Sequence, residues 1–142
     1  MPNSLPVHIL LVEDEDVDVM AVRRAFRSRR IANEMTVARD GVAALELLRG
    51  SEAKPPLPRP LIILLDLNMP RMNGIEFLAE LRGDAELKDS IVFILTTSKA
   101  DEDKAAAYDK HIAGYIVKSD VGGGFLALIE MLDSYWRIVE FP

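Results

Sequence analysis

Four acids stand in a row at Glu13, Asp14, Glu15 and Asp16, directly after the apolar run 7–12, which has His8 inside it. A fifth, Asp66, follows a second apolar run, 61–65, and precedes Leu67-Asn68-Met69-Pro70. Carboxylates brought close together repel one another, and a hard divalent cation relieves that repulsion. Mg²⁺ suits such a set, because it takes oxygen ligands, keeps several waters and needs only one or two carboxylates. A metal held there can draw an incoming phosphoryl group beside one of the acids. Thr96 and Lys118 close two further apolar runs, 91–95 and 115–117. The hydroxyl can donate a hydrogen bond, and the ammonium can neutralise phosphoryl oxygens as a point charge. Each residue alone has an ordinary reading: a helix-opening acidic pair, a turn-forming aspartate, a strand-end threonine, a solvated lysine. Acid, acid, hydroxyl and lysine at four strand ends are far more specific together than apart.

The elements that must position them are legible in outline. Short branched-rich runs without alternation suit strands buried on both faces, and 36–38 is a weaker candidate of the same kind. A helix over 17–30 carries Val19, Val22 and Phe26 at helical spacing. Another over 42–48 follows Asp40-Gly41, and a third over 75–81 follows Asn73-Gly74, with Gly83 where a C-cap would stand. The segment 101–110 opens on acids after Ser98, as a helix N-terminus favours, and a last helix spans 124–141. Five alternations of strand and helix call for an α/β fold, a doubly wound five-stranded parallel sheet with helices on both faces. Sites in such sheets form beyond the C-terminal strand ends.

The 142 residues are enough for one domain over 1–142, with 1–6 as an N-terminal tail. Pro55, Pro56, Pro58 and Pro60 make 51–60 an exposed loop, with a Pro-rich ligand as the lesser reading. No apolar run is long enough to span a bilayer, and the first residues lack a signal-peptide pattern. The absence of cysteine removes disulfides, thiolate metal sites and cysteine nucleophiles, and fits the cytoplasm. A net charge of −6 argues against nucleic acid as a partner. The cluster Arg23, Arg24, Arg27, Arg29 and Arg30 therefore reads as a solvated or partner-facing helix surface.

These motifs resemble those of the response-regulator receiver family along almost the whole chain. The resemblance is carried by Ile9-Leu10-Leu11-Val12-Glu13-Asp14, by Leu64-Leu65-Asp66-Leu67-Asn68-Met69-Pro70 with Asn73-Gly74, by Leu95-Thr96-Thr97, and by Gly114-Tyr115-Ile116-Val117-Lys118. It implies a flavodoxin-like strand order 2-1-3-4-5 and a switch in a two-component phosphorelay, phosphorylated by a sensor histidine kinase. By the same resemblance Asp66 is the phosphoacceptor, and Asp14, Asp66 and the backbone carbonyl of Asn68 hold Mg²⁺, with Glu13 acting through water. Lys118 pairs with the phosphoryl group, Thr96 swings toward it, and Tyr115 turns inward. The Pro-rich loop, Thr96-Thr97-Ser98 and the ending Tyr135-Trp136-Arg137-Ile138-Val139-Glu140-Phe141-Pro142 look like the small single-domain regulators that accompany bacterial phytochromes, which implies a phytochrome-type kinase. Such a chain signals through contacts with a downstream protein or phosphotransfer partner and is not a turnover enzyme.

Two positions depart from the family pattern. Ser119 stands where proline usually follows the lysine, so the bond before it need not be cis. Thr97 occupies a place that is commonly very small, where its bulk would hinder attacking water and lengthen the phosphorylated lifetime. In the last helix Phe125, Leu128, Ile129, Leu132, Trp136 and Val139 form an apolar stripe, widened by Met131, Tyr135 and Ile138. That breadth reads either as packing against the fourth helix or as a homodimer or partner face. Three rival readings are weaker. A phosphatase of the haloacid-dehalogenase type wants an aspartate where Asn68 stands. A degenerate receiver acting as a non-phosphorylated interaction module would have lost an acid or the lysine. A dinucleotide fold would need glycines where the four acids lie, and Gly122-Gly123-Gly124 comes too late in the chain to serve.

Overall fold

The computed structural model describes residues 7–69, 71–118, 126–138 and 141–142. Five strands run in parallel, β1 (His8–Val12), β2 (Met35–Ala38), β3 (Leu61–Leu65), β4 (Ile91–Thr96) and β5 (Gly114–Val117). Their order is β2-β1-β3-β4-β5, as the family resemblance implies. Alternating with them are α1 (Asp16–Ser28), α2 (Gly41–Arg49), α3 (Gly74–Gly83), α4 (Asp101–Asp109) and α5 (Leu126–Ile138).

The unalternating strands are explained by burial on both faces. Leu10, Val12, Ile63, Leu65, Val92 and Ile94 face one core, closed by Leu45 and Leu48 of α2, Phe77, Leu78 and Leu81 of α3, and Ala107 of α4. Their strand neighbours Ile9, Leu11, Ile62, Leu64, Phe93 and Leu95 face a second core under Val19, Val22 and Phe26 of α1 and Leu128, Ile129 and Leu132 of α5. Each fully buried Leu or Ile removes enough apolar surface to contribute roughly 1.5–3 kcal/mol. The sheet therefore forms a rigid floor, and its rim is set by strand length. Among the described residues no helix is long and apolar enough to cross a membrane. The side chains of Arg23, Arg24, Arg27, Arg29 and Arg30 are exposed, and Arg29 pairs with Glu130 of α5.

Several expectations need correction. Gly83 lies inside α3 and Asp84 is the C-cap, because Asp84 takes an extended backbone and its carboxylate accepts the Glu86 amide at 2.9 Å. Arg82 secures that helix end, donating to the carbonyls of Lys88, Ser90, Lys110 and His111 at 2.7–2.9 Å. The last helix is shorter than expected, since Phe141 lies outside it and stacks edge-on to Tyr135 at 6.3 Å. Residues 124–125 and 139–140 of the expected span lie outside the described residues. Part of the apolar arc of α5 packs within the chain: Tyr135 meets Phe93 of β4 at 5.1 Å and Trp136 meets Phe26 of α1 at 6.5 Å. Met131 remains 38% exposed.

The segment 51–60 is largely exposed, as its prolines predict, but Leu57 packs into the first core and donates its amide to the Leu47 carbonyl at 3.1 Å. Gly50 opens the segment at φ +75°, and a Cβ there would stand 2.6 Å from the Pro56 nitrogen. Both facts require glycine.

Candidate functional site

The in-register pairing of β1 and β3 sets Val12 opposite Leu65, so the residues that follow each strand emerge side by side. Glu13, Asp14 and Asp66 each offer a carboxylate oxygen, all within 4.8 Å of one another, the one such group among the described residues. Glu13 and Asp66 are buried. Oδ1 of Asp14 is also buried and has no hydrogen-bond partner among the described residues. A buried carboxylate oxygen left unpaired is costly, and a hard cation with oxygen preference removes the cost. The donor set thus fits a divalent metal, with Asp14 supplying the open acceptor.

Lys118 reaches this cluster from the end of β5. Its Nζ donates to Glu13 Oε1 at 2.6 Å and to Asp18 Oδ2 at 2.7 Å, and lies 3.9 Å from Asp66 Oδ2. Three carboxylates share one ammonium. Burial pushes the Glu13 carboxyl up to about 7, against the opposing hydrogen bond from Lys118. Burial pulls the Lys118 ammonium down, but its hydrogen bonds to Asp18 and Glu13 outweigh that and hold it above its ordinary value. The lysine therefore stays charged.

Thr96 ends β4 fully buried, and its hydroxyl accepts the Ser98 amide at 3.4 Å. Tyr115, half-buried on the neighbouring strand, donates its hydroxyl to the Ser98 carbonyl at 3.0 Å. Burial raises the Tyr115 phenol above its usual value. Ser98 in turn donates to Asp103 at 2.6 Å, which ties this loop to the first turn of α4. Thr97 is exposed at the rim between them. Asn68 follows Asp66 on the surface, and its amide approaches Asp66 Oδ1 at 3.4 Å. The Lys118–Ser119 bond lies outside the described residues.

The loop carrying Asp66 is held from two sides. Asp40 caps α2, accepting the Ala43 amide at 2.8 Å, and binds the Arg71 guanidinium at 2.7 and 3.1 Å. That arginine holds the Asp40 carboxyl below the usual carboxylate range. On the other side Asn73 and Glu76 form a capping box, with 2.9 and 3.1 Å bonds, that starts α3 against the loop.

Glu13, Asp14, Asp66 and Lys118 are thus gathered as the sequence predicts, with Thr96 and Tyr115 linked through Ser98 beside them. The sequence pattern does not mark Asp18 or Arg71 as site residues, and it shows Ser98 and Asp40 only as part of a motif and of a turn. Asp18 gave only the weak signal of an acid in a helix's first turn.

Comparison with known proteins agrees with this geometry. Residues 9–122 match the response regulator receiver domain. Response regulator Rcp1 of Synechocystis is 37% identical over 134 residues, 94% of this chain and 91% of that protein. Its Mn²⁺-bound crystal structure superposes with a TM-score of 0.83, over 97% of this chain and 99% of that one. The phosphorylated cyanobacterial phytochrome response regulator RcpA is 33% identical with a TM-score of 0.83, covering 98% and 99% of the two chains. RPA3017, a response regulator in red light signalling of R. palustris, is 29% identical with a TM-score of 0.84, covering 97% and 99%. With the sheet order, the acid cluster and the lysine all in register with that match, the chain belongs to the response regulator receiver domain family.

Proposed function

We propose that this chain is a phosphorylation switch in which Asp66 accepts a phosphoryl group from the phosphohistidine of a sensor histidine kinase. The observation that carries the reading is the placement of Asp66: nearly buried, beside Glu13 and Asp14, and 3.9 Å from the Lys118 ammonium. An oxygen of Asp66 attacks phosphorus, the bond from phosphorus to the donor nitrogen breaks, and its electron pair remains on the imidazole. Attack of water on the phosphorus later breaks its bond to the Asp66 oxygen, releasing inorganic phosphate and the free carboxylate. Asp14, Asp66 and the carbonyl of Asn68 would hold Mg²⁺, with Glu13 acting through water. When bound, that ion offsets charge on the phosphoryl oxygens. Lys118 neutralises one further oxygen and Thr96 donates its hydroxyl to another. With Thr96 drawn to the phosphoryl group, the loop at Ser98 shifts, and Tyr115 exchanges its carbonyl partner for the inner space.

The likeness to RcpA, a phytochrome response regulator, supports a phytochrome-type kinase as the donor. The signal leaves by protein contact in the cytoplasm, to a downstream protein or phosphotransfer partner or within a homodimer. Exposed Met131 on α5 is the apolar element that such a homodimer would cover. No external substrate is turned over.

Intact mass after incubation with Mg²⁺ and acetyl phosphate tests the reading. One added phosphoryl group in wild type and none in Asp66→Asn supports it. No addition, together with no binding of beryllofluoride, overturns it.

A further inference from the structure

An ammonium has three N–H donors. Lys118 uses two of them on Glu13 and Asp18, at 2.6 and 2.7 Å, and stands beyond hydrogen-bond reach of Asp66 at 3.9 Å. A phosphoryl oxygen on Asp66 would take the third N–H, at the roughly 2.8 Å of a charge-assisted hydrogen bond, and the pull of Glu13 and Asp18 on the same nitrogen opposes its approach. Glu13 belongs to the acid cluster within 4.8 Å that suits a metal, but Asp18 does not. Asp18 sits in the first turn of α1 with its side chain 29% exposed, and among the described residues its carboxylate touches the site through the lysine alone. The lysine side chain is itself only 8% exposed, so this ion pair is shielded enough to hold the ammonium in place.

We propose that Asp18 is a positioning residue: it holds Lys118 back from Asp66 in the resting state and competes with an Asp66-bound phosphoryl group for the same ammonium. This rests on the phosphoacceptor reading of Asp66. The strength of the Asp18–Lys118 pair then sets how tightly the site holds a phosphoryl group. The bland role of Asp18 is an acid that favours a helix N-terminus, or one more negative charge near an anion site.

The test separates these. Wild type, Asp18→Asn, Asp18→Glu and Glu15→Gln are titrated with beryllofluoride in Mg²⁺, with bound ligand read by ¹⁹F NMR. The Lys118 ammonium is followed by ¹⁵N NMR before Mg²⁺ or beryllofluoride is added. Glu15, the exposed N-cap residue of α1, carries the same charge at the same helix end and makes no ion pair with Lys118 among the described residues. Asp18→Asn should bind beryllofluoride about fivefold tighter, while Asp18→Glu and Glu15→Gln stay within about twofold of wild type. The Lys118 ammonium resonance should move in Asp18→Asn alone. Equal tightening in Asp18→Asn and Glu15→Gln would mean that lost charge suffices and would overturn the proposal, as would an unmoved Lys118 resonance. A folded wild type that binds no beryllofluoride would instead bring down the phosphoacceptor reading and this inference with it.

Discussion

The carbonyl oxygen of Asp66 lies 2.7 Å from the point that a Cβ on Gly74 would occupy, and Leu67 Cα is equally close. The first turn of α3 is therefore pressed against the backbone of the Asp66 loop, where no side chain can swing aside. Gly74→Ala should push the loop outward. It is expected to cost about 1–3 kcal/mol of stability, as overpacking does, and to slow phosphorylation. Urea denaturation and the rate of phosphoryl uptake from acetyl phosphate measure the two effects. If neither changes, the helix is not what fixes Asp66.

Asp14 has a buried oxygen that no described residue satisfies. Replacing it with asparagine would remove one proposed Mg²⁺ ligand and one member of a repelling set. Mg²⁺ affinity by calorimetry should fall at least about tenfold. Stability without Mg²⁺ should hold or rise, because relief of repulsion offsets the lost charge.

His8 is buried at the start of β1, with Nε2 2.8 Å from the Thr36 hydroxyl, and burial lowers its pKa below 6.5. The unfolded chain takes up a proton near that value while the folded chain resists it. Stability from this group is therefore complete above pH 6.5 and declines as pH falls below it, by at most about 1.4 kcal/mol per pH unit. Glu13 works in the opposite sense: its raised pKa means that the folded state binds the extra proton between about 7 and 4.5, which favours folding as pH falls. Comparing His8→Asn with wild type by urea denaturation at pH 7 and pH 5 cancels the Glu13 contribution. The variant should lose less stability over that interval, and an equal loss would refute the assignment.

Thr97 is exposed beside fully buried Thr96. If its bulk screens the phosphoryl site from water, Thr97→Ala should dephosphorylate about threefold faster, a barrier change below 1 kcal/mol. Loss of the added mass with time gives the rate directly, and equal rates would sink the idea.

Met131, 38% exposed on α5, offers the test of a homodimer. Met131→Asp should fold normally and weaken self-association at least about tenfold in sedimentation equilibrium, because a carboxylate would be buried without a partner. An unchanged association constant would place any dimer contact elsewhere.

Much of the site was legible because parallel strands end on one rim. Acids after residues 12 and 65, a threonine at 96 and a lysine at 118 are assigned to that rim by the strand pattern alone. What escaped depends on tertiary contact. An acid in the first turn of a helix reads as a capping charge, so nothing marked Asp18 as a partner for a lysine a hundred residues away. Arg71, at φ 64°, shows its role only once α2 lies beside the Asp66 loop. Gly83 looked like a helix stop, yet Asp84 and Arg82 end α3 through their own hydrogen bonds. The apolar breadth of α5 was visible, but not that Tyr135 and Trp136 spend it on Phe93 and Phe26.

The pairing of Val12 with Leu65 bears on how such a chain can change length. One residue inserted within His8–Val12 would turn every later side chain of that strand to the opposite face and carry Asp14 about 3.3 Å along the sheet. A single added codon there would do more harm than most substitutions. Extra residues in the exposed segment 51–60 would lengthen a loop at little entropic cost and leave the register alone. Insertions and deletions among descendants of this gene should therefore gather in that segment and spare the strands on either side of the acids.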